Sequence, residues 1–291
     1  MFPATPHDAL AQRIFGTDLA EVRRAAREAV GSAATAIVAM RERGELEERF
    51  KNPRDLVTAA DLRAEEIVLS LLCDRFPEDE IISEESFSLA EGEEGINMAR
   101  HLLIRRSWVL DPIDGTVNYA HGSPLVGISL GFGVEGRITY GIVALPFMGL
   151  VYEAALGAGA YRNGVPISVS TRTTLAESLV ATGFPYERTA LEPLLARVRS
   201  ILTHCQDIRR CGAASIDLCF VAEGTFEGYV ESVKPWDMAA GLLIAQEAGA
   251  QVGWCSQSGD HYPAAIRGEE LLVAAPGVFR GMMALFGQLP E

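Results

Sequence analysis

The stretch that decides the fold is Trp108–Thr116, which reads WVLDPIDGT. The apolar run from Trp108 to Leu110 predicts a strand, and two aspartates follow where that strand ends. Pro112 stiffens the loop that carries them, and Gly115 lets the main chain approach a ligand closely. Carboxylate and carbonyl oxygens are the ligands that hard cations such as Mg²⁺ prefer. The stretch therefore indicates a cation site, although an Asp-Pro turn with a structural role alone would use the same residues.

Two related motifs do not fit this stretch. An EF-hand loop needs acids at alternating early positions and at its twelfth position, whereas this loop has acids at its first and fourth positions and Gly122 at the twelfth. An aspartyl-phosphate phosphatase would need an Asp-x-Asp sequence, which Trp108–Thr116 does not contain.

The residues that follow predict an antiparallel meander. Apolar segments alternate with short turns that contain glycine or proline, and Asn163-Gly164 is a strong hairpin signal after the last of them. The predicted strands are Leu125–Val134, Arg137–Leu145, Leu150–Ala155 and Ala160–Arg162.

Helices are predicted before this meander, and helices alternate with strands after it. Apolar residues recur at three- and four-residue spacing over Asp18–Arg43 and Thr58–Arg75, with Thr58 as an N-cap and the polar segment Gly44–Arg54 as a connection. Later helices are predicted over Leu191–Leu202, Ala213–Ala222, Pro235–Glu247 and Phe279–Phe286, and later strands over Ser178–Thr182, Asp207–Arg209, Gly228–Glu231, Val252–Trp254 and Leu271–Ala274. This order predicts an α+β half with an antiparallel sheet over residues 1–167 and an alternating α/β half over residues 168–291.

Composition narrows the class of protein and its partners. The 291 residues include 39 acidic and 25 basic side chains, a net charge of −14, which argues against a nucleic-acid backbone or an anionic membrane as the main partner. The 5 cysteines form no Cys-x-x-Cys pair, so we expect neither a disulfide framework nor a zinc site. The N-terminus does not resemble a secretory signal, and no apolar stretch reaches the roughly 18 residues of a membrane span. We therefore expect a soluble, cytoplasmic protein of one large domain or two packed lobes.

Two matches to catalytic motifs are interpreted as coincidences. Gly127–Gly131 fits the G-x-S-x-G elbow of serine hydrolases, and Gly131–Gly136 fits the dinucleotide-binding G-x-G-x-x-G. The first motif needs a strand, a sharp turn and a helix, and the second needs a helix after it. Predicted strands flank both segments, so Ser129 is interpreted as a strand residue.

Further acidic segments accompany the first two aspartates. Glu84-Glu85 follows an apolar, strand-like pair, and a solvated acidic loop would explain it equally well. Asp237 lies in the first turn of a predicted helix, where the helix dipole favours an acid. Asp61 stands three residues after Thr58, where a capping box would place it. Each residue has a local structural explanation, and each alone indicates little about function.

The combination of these segments is far more specific than any one of them. In chain order they are DLVTAAD at Asp55–Asp61, ISEES at Ile82–Ser86, WVLDPIDGTVNY at Trp108–Tyr119 and KPWDMAAG at Lys234–Gly241. Together they closely resemble the motifs of the inositol monophosphatase family of Mg²⁺-dependent, lithium-sensitive phosphatases. The resemblance implies a layered α-β-α-β-α sandwich of the sugar-phosphatase type, usually a homodimer.

The resemblance also implies a role for each matching residue. Two to three Mg²⁺ ions would be held by Glu84, Asp111, the carbonyl of Ile113, Asp114 and Asp237. Asp61 and Thr116 would orient the attacking water, and the main-chain amides of Gly115 and Thr116 would meet the phosphate. The substrate site would be lined by Gly212, Ala213, Ala214 and the sugar-contacting Glu231.

We therefore expect a Mg²⁺-dependent phosphomonoesterase that hydrolyses inositol 1-phosphate, or a similar small polyol phosphate, with a metal-activated water. Val117-Asn118-Tyr119 fits the inositol branch, because relatives that act on 3′-phosphoadenosine phosphates or histidinol phosphate often carry a lysine in place of Val117. The same chemistry on 3′-phosphoadenosine 5′-phosphate, histidinol phosphate, fructose 1,6-bisphosphate or NADP stays open, as does a catalytically idle, cation-binding relative. A serine hydrolase that uses Ser129 is a distant third interpretation.

The departures from the family pattern concern the substrate side of the site. The loop from Glu231 to Asp237 is one residue shorter than usual, and Ala213 replaces a small hydroxyl residue. The shorter loop leaves open whether Glu231 reaches the substrate. Lys51 would lie near the phosphate, or else it is an ordinary solvated lysine.

Overall fold

The computed structural model describes residues 19–45, 47–52, 55–86, 105–184, 191–255 and 264–287. A small antiparallel hairpin, β1 (Glu48–Asn52) and β2 (Asp55–Thr58), precedes the main body of the fold. The sequence predicted only a polar connection over Gly44–Arg54, and this prediction was wrong for β1. The error has a physical reason, because a short strand of mostly charged and polar residues carries no apolar alternation by which it could be recognised.

The larger sheet contains β3 (Glu80–Ser83), β4 (Ser107–Asp114), β5 (Gly127–Val134), β6 (Arg137–Leu145), β7 (Leu150–Ala155), β8 (Ala160–Arg162) and β9 (Val165–Ile167), side by side in chain order. β3 and β4 are parallel, and every later neighbouring pair is antiparallel. The predicted meander is therefore confirmed. This sheet ends at Ile167, while the division of the chain into two halves at that point stays a prediction.

The smaller sheet contains β10 (Leu179–Thr182), β11 (Asp207–Arg209), β12 (Gly228–Glu231), β13 (Gln251–Trp254) and β14 (Leu271–Ala274), in the order β11-β10-β12-β14-β13. β10 is parallel to both of its neighbours, and β14 is antiparallel to both of its own. The strands predicted in the second half of the chain are thus confirmed to within a residue at each end.

Helices cover both outer faces and fill the space between the sheets. Those within the described residues are α1 (Leu19–Glu42), α2 (Ala59–Arg75), α3 (Thr116–Ala120), α4 (Leu191–His204), α5 (Ala214–Ala222), α6 (Pro235–Glu247) and α7 (Pro276–Phe286). One core joins α1 and α2 to the outer face of the larger sheet, a second places α5 and α6 between the two sheets, and a third joins α4 and α7 to the smaller sheet. These layers form the α-β-α-β-α sandwich that the resemblance implied.

Side-chain alternation along β4 explains why this strand lies at the centre of the fold. Trp108 and Leu110 point into the core with α1 and α2, while Val109 between them points into the core with α5 and α6. Successive side chains of a strand face opposite sides of the sheet, so an uninterrupted apolar run fits a strand that is covered on both faces.

Two glycines of the larger sheet allow α6 to approach it closely. A Cβ added at Gly141 on β6 would lie 2.9 Å from both Cα and O of Ala240, and one added at Gly131 on β5 would lie 3.3 Å from Cβ of Ala239. Helix α6 therefore lies directly on β5 and β6. This close packing fixes the position of the first turn of α6, which carries Asp237.

The prediction that both aspartates of WVLDPIDGT lie on a loop after the strand was also wrong. Strand β4 continues through Asp114, with an irregularity in its pairing to β5 between Asp111 and Asp114. Gly115 then takes a left-handed conformation, φ 92°, and the short helix α3 begins at Thr116. The strand can include Pro112 because the pairing is interrupted there, so the missing N–H does not break a regular ladder.

No helix within the described ranges is long and apolar enough to cross a membrane.

Candidate active site

The irregularity in β4 turns the two aspartates of WVLDPIDGT towards different partners. The main-chain N–H of Ile113 donates to Oδ1 of Asp111 at 3.0 Å, a contact that closes a small turn over Pro112. Asp114 instead reaches α5, where its carboxylate accepts the N–H of Ala214 at 3.2 Å and the N–H of Ser215 at 2.6 Å. Asp114 therefore connects the larger sheet to the N-terminus of α5, where the predicted substrate wall ends at Ala214. The dipole of α5 favours the negative charge of Asp114.

Asp61 and Thr116 form a buried hydrogen-bonded pair. The Thr116 hydroxyl lies 2.9 Å from Oδ1 of Asp61 and 3.2 Å from the carbonyl oxygen of Ile113, so its single proton can go to either acceptor. Oδ2 of Asp61 accepts the main-chain N–H of Thr58 at 2.7 Å and the Thr58 hydroxyl at 2.5 Å. This confirms the predicted capping box of α2, and it leaves Oδ1 of Asp61 directed at Thr116.

Glu84 and Asp237 reach the same region from β3 and α6. Glu84 follows the last residue of β3, and its main-chain N–H donates to the carbonyl of Leu110 at 3.2 Å, directly before Asp111. Asp237 lies in the first turn of α6, where Oδ2 accepts the main-chain N–H of Lys234 at 2.8 Å. Asp61 and Asp237 are therefore helix-terminus acids, as their local explanations predicted. This structural role does not prevent either residue from taking part in the site.

The electrostatics of the cluster show that these carboxylates lie in one another's field. Burial raises the pKa of Asp111 well above its usual range, and the charges of Glu84, Asp114, Asp237 and Asp61 raise it further. Burial and the charges of Asp114 and Glu84 likewise raise the pKa of Asp237 well above its usual range. Burial raises the pKa of Asp114, although its bonds to Ser215 and Ala214 act in the opposite direction.

This set of donors suits a hard divalent cation. The charges of Glu84, Asp114, Asp237 and Asp61 all act on Asp111, and a cation near them would compensate the repulsion that raises its pKa. Within the described residues, however, no three Asp, Glu, His or Cys side chains converge as closely as a ready-made metal site requires. Asp114 and Asp237 also direct oxygens at main-chain N–H groups, which leaves the other lone pairs of these carboxylates for a cation.

Burial dominates the protonation of Asp61. It raises the pKa of Asp61 to about 6, against the opposing effect of the hydrogen bonds from Thr58 and Thr116. A carboxyl group that changes protonation near pH 6 is suited to proton transfer at neutral pH.

The predicted phosphate-binding turn lies against the predicted substrate wall. A Cβ added at Gly115 would lie 3.2 Å from the carbonyl oxygen of Gly212 and 3.3 Å from Cβ of Ala213. Asn118, in the helix that follows this turn, links it to the wall. Its side-chain N–H₂ donates to the carbonyls of Leu125 and Cys211, both at 2.8 Å. Gly115 is thus needed both for its left-handed φ and for this close approach.

Glu231 lies close enough to Asp114 and Asp237 for their charges to interact. The Tyr229 hydroxyl donates to Oε2 of Glu231 at 2.7 Å, and the carboxylate lies directly against Gly183, where a Cβ would overlap it. Burial raises the pKa of Glu231 to about 7, and the charge of Glu231 contributes to the raised pKa of Asp237. The shortened loop therefore still brings this carboxylate to the side of the site that carries Asp237.

Three charged residues at the site were missed by the sequence analysis. Arg210 lies beside Gly212 and above the ring of Phe184, and its charge lowers the pKa of Asp114 and Glu231. Asp217 is buried on α5, where its Oδ1 has no hydrogen-bond partner among the described residues, and Glu65 is buried on α2. For Glu65 a signal existed, because it stands four residues after Asp61 and therefore on the same face of a predicted helix.

The sequence analysis also named Lys51 and Ser129, of which the structure describes only the Ser129 side chain. The side chain of Lys51 lies outside the described residues, so its proposed nearness to the phosphate stays a prediction. Ser129 lies in the middle of strand β5, where its hydroxyl donates to the carbonyl of Trp236 at 3.3 Å. The dismissal of the G-x-S-x-G and G-x-G-x-x-G matches is confirmed, because strands flank both segments.

Comparison with known proteins identifies the family of this chain. The sequence profile of the inositol monophosphatase family matches residues 18–284, and the chain belongs to this family. A relative named Nus factor SuhB, from Pasteurella multocida, is 35% identical over 243 residues, which are 83% of this chain and 86% of that protein. The inositol-1-monophosphatase of a Synechocystis species is 40% identical over 200 residues, which are 68% of this chain and 66% of that protein.

Solved structures show the same fold. The inositol monophosphatase from an Anabaena (Nostoc) species has a TM-score of 0.78 and 32% sequence identity, and the match covers 94% of this chain and 98% of that chain. The family and these relatives indicate a phosphatase of the inositol monophosphatase superfamily, a family that is generally metal-dependent.

Proposed function

We propose that the protein is a Mg²⁺-dependent phosphomonoesterase that hydrolyses inositol 1-phosphate or a similar small polyol phosphate. The observation that carries the proposal is the buried Asp61–Thr116 pair, which adjoins a cluster of mutually repelling carboxylates at the end of β4. A hydroxyl paired with a carboxylate can orient water, and the cluster can hold the cations that a phosphate dianion requires.

Magnesium is proposed as the cofactor, with two to three ions per site. Glu84, Asp111, the Ile113 carbonyl, Asp114 and Asp237 would hold these ions. Bound Mg²⁺ would supply a strong nucleophile at neutral pH and would stabilise charge on the phosphate and on the leaving oxygen. All the oxygen donors belong to the hard class that Mg²⁺ prefers over softer nitrogen and sulfur ligands.

The chain's own residues account for the orientation of the reacting groups. When the Thr116 hydroxyl donates its hydrogen bond to Asp61, the Thr116 oxygen can accept a hydrogen bond from a water molecule. Such a pair would hold that water at a fixed angle to the phosphorus atom. The main-chain N–H groups of Gly115 and Thr116 belong to the turn that begins α3, where free amides favour an anion.

The substrate class rests on the segment Val117-Asn118-Tyr119 and on Glu231. Asn118 orders the wall around Gly212–Ala214, and Glu231 supplies an acceptor that suits the hydroxyl groups of a polyol. The alternatives 3′-phosphoadenosine 5′-phosphate, histidinol phosphate, fructose 1,6-bisphosphate and NADP share the phosphate chemistry and differ at this wall. By resemblance to the family, we also propose that the protein is a cytoplasmic homodimer and that lithium inhibits it.

No second function is proposed from the relatives named Nus factor SuhB. That name describes those proteins, and the net charge of −14 on this chain gives no electrostatic support for contact with a nucleic-acid backbone.

The substrate part of the proposal is tested by release of phosphate from the five esters under identical Mg²⁺ concentrations. We expect the highest kcat/KM on inositol 1-phosphate. A clear preference for another ester would overturn the inositol assignment and leave the metal chemistry standing. Mg²⁺ binding without phosphate release from any monoester would instead support the idle relative.

A further inference from the structure

The buried carboxylate of Glu65 makes contacts that the proposed reaction has not used. Glu65 lies on α2, one helical turn after Asp61, and the residue is 7% exposed. Its Oε1 accepts hydrogen bonds from the hydroxyls of Ser83 and Ser86, the second at 3.1 Å. A buried carboxylate is costly unless it is hydrogen-bonded, so these two hydrogen bonds compensate the burial of Glu65.

The two hydroxyls bracket the predicted metal ligand Glu84. Ser83 is the last residue of β3 and is itself buried, while Ser86 lies two residues beyond Glu84. The main chain of Glu84 is fixed to β4 through its N–H bond to Leu110. The turn over residues 83–86 is therefore held on one side by β4 and on the other side by the single oxygen Oε1 of Glu65.

From this juxtaposition we propose that Glu65 is a positioning residue for the metal site, which sets the direction of the Glu84 side chain by holding Ser83 and Ser86. The proposal rests on the function proposed above. It assigns α2 two tasks: Asp61 orients the water with Thr116, and Glu65, on the same face one turn later, holds the turn that carries a cation ligand. A shift of α2 would thereby disturb both groups together.

The geometry makes a specific prediction about charge. Both hydroxyls donate to one oxygen atom, and a glutamine side chain has one carbonyl oxygen that can take the same place. Glu65→Gln should therefore preserve the turn, whereas Glu65→Ala should release it. Loss of a residue that orients a metal ligand typically costs 10–100-fold in metal affinity.

The test measures Mg²⁺ binding to the full chain by calorimetry, and in parallel the rise in Tm on addition of Mg²⁺. We expect the Kd for Mg²⁺ to rise about 10–100-fold in Glu65→Ala and to stay within about threefold of the wild-type value in Glu65→Gln. The double variant Ser83→Ala/Ser86→Ala should reproduce Glu65→Ala, and it replaces that variant if Glu65→Ala does not fold. Glu66→Ala is the matched control, because Glu66 is the next residue of the same helix, is exposed and pairs only with Arg63 in the described structure.

The outcomes separate this inference from the proposed function. An unchanged Kd in folded Glu65→Ala or in the double serine variant, or equal losses in Glu65→Gln and Glu65→Ala, would overturn the positioning role alone. Wild-type protein that binds Mg²⁺ with the predicted variant pattern but releases no phosphate would overturn the catalytic proposal alone. Wild-type protein that binds no Mg²⁺ would overturn both.

Discussion

At the scale of single residues, the account depends most on the contact between Asp61 and Thr116. Thr116→Val removes the hydroxyl and keeps the shape of the side chain, so it should lower kcat about 10²–10⁴-fold, the range expected for a lost proton-transfer or water-orienting group. Thr116→Ser keeps the hydroxyl and should retain most of the activity. Steady-state kinetics at saturating Mg²⁺ would check both, and equal activity in Thr116→Val and wild type would show that the pair does not orient the nucleophile.

Asp61 also makes a prediction about stability and pH in the absence of metal. Its pKa in the folded protein is about 6, raised from an ordinary value of 3.8 by burial, so the fold favours the protonated form. The resulting stabilisation is complete below about pH 4 and is lost as the pH rises through 6. In EDTA, Asp61→Asn should therefore raise Tm by a few degrees at pH 7.5 and change it little at pH 4.5, because one pKa unit corresponds to about 1.4 kcal/mol. A variant that lowered Tm equally at both pH values would contradict this assignment.

Residue types and spacing were enough to predict candidate residues for the site, but they did not reveal all of the charged residues that surround these candidates. Asp61, Asp111 and Asp237 could be found because each stands in a recognisable motif. Arg210 and Asp217 could not, because their nearness to the site depends on how α5 packs against β4. The assignment of individual ligands to individual ions remains a prediction.

At the scale of elements, the approach of α6 to the larger sheet fixes Asp237. Gly141→Ala would place a Cβ 2.9 Å from the main chain of Ala240, so α6 must move. We expect a loss of about 1–3 kcal/mol in the free energy of unfolding, together with weaker Mg²⁺ activation. Gly31→Ala is the control, since Gly31 is exposed on α1 and no atom of the described residues lies within 4 Å of its added Cβ. This substitution should stabilise the protein by about 0.5–1 kcal/mol. Denaturant unfolding and Mg²⁺ titration would check both, and a neutral Gly141→Ala would show that α6 does not need this glycine.

Helices and strands with a strong apolar pattern could be predicted from the sequence, and weakly patterned elements could not. Strand β12 and helix α6 were predicted with the bounds that the structure has. Strand β1 and the continuation of β4 through Pro112 were missed. In both cases the pairing with a neighbouring strand decides the structure, and that pairing is not visible in local sequence.

At the scale of the whole molecule, the proposed substrate is an anionic phosphate ester, while the protein itself has a net charge of −14. The long-range field opposes this, and cations concentrated at the carboxylate cluster would reverse it locally. We therefore expect KM for the substrate to fall as Mg²⁺ rises towards saturation, at constant ionic strength. A KM independent of Mg²⁺, with only kcat changing, would mean that the cations do not help to bind the phosphate.

The most direct test of the central claim is phosphate release from inositol 1-phosphate, measured with Mg²⁺ and with EDTA for wild type, Asp111→Asn and Ser129→Ala. The account predicts release by wild type and Ser129→Ala that depends on Mg²⁺, and loss of release in Asp111→Asn. Release that persists in EDTA, or that survives Asp111→Asn and disappears in Ser129→Ala, would contradict it.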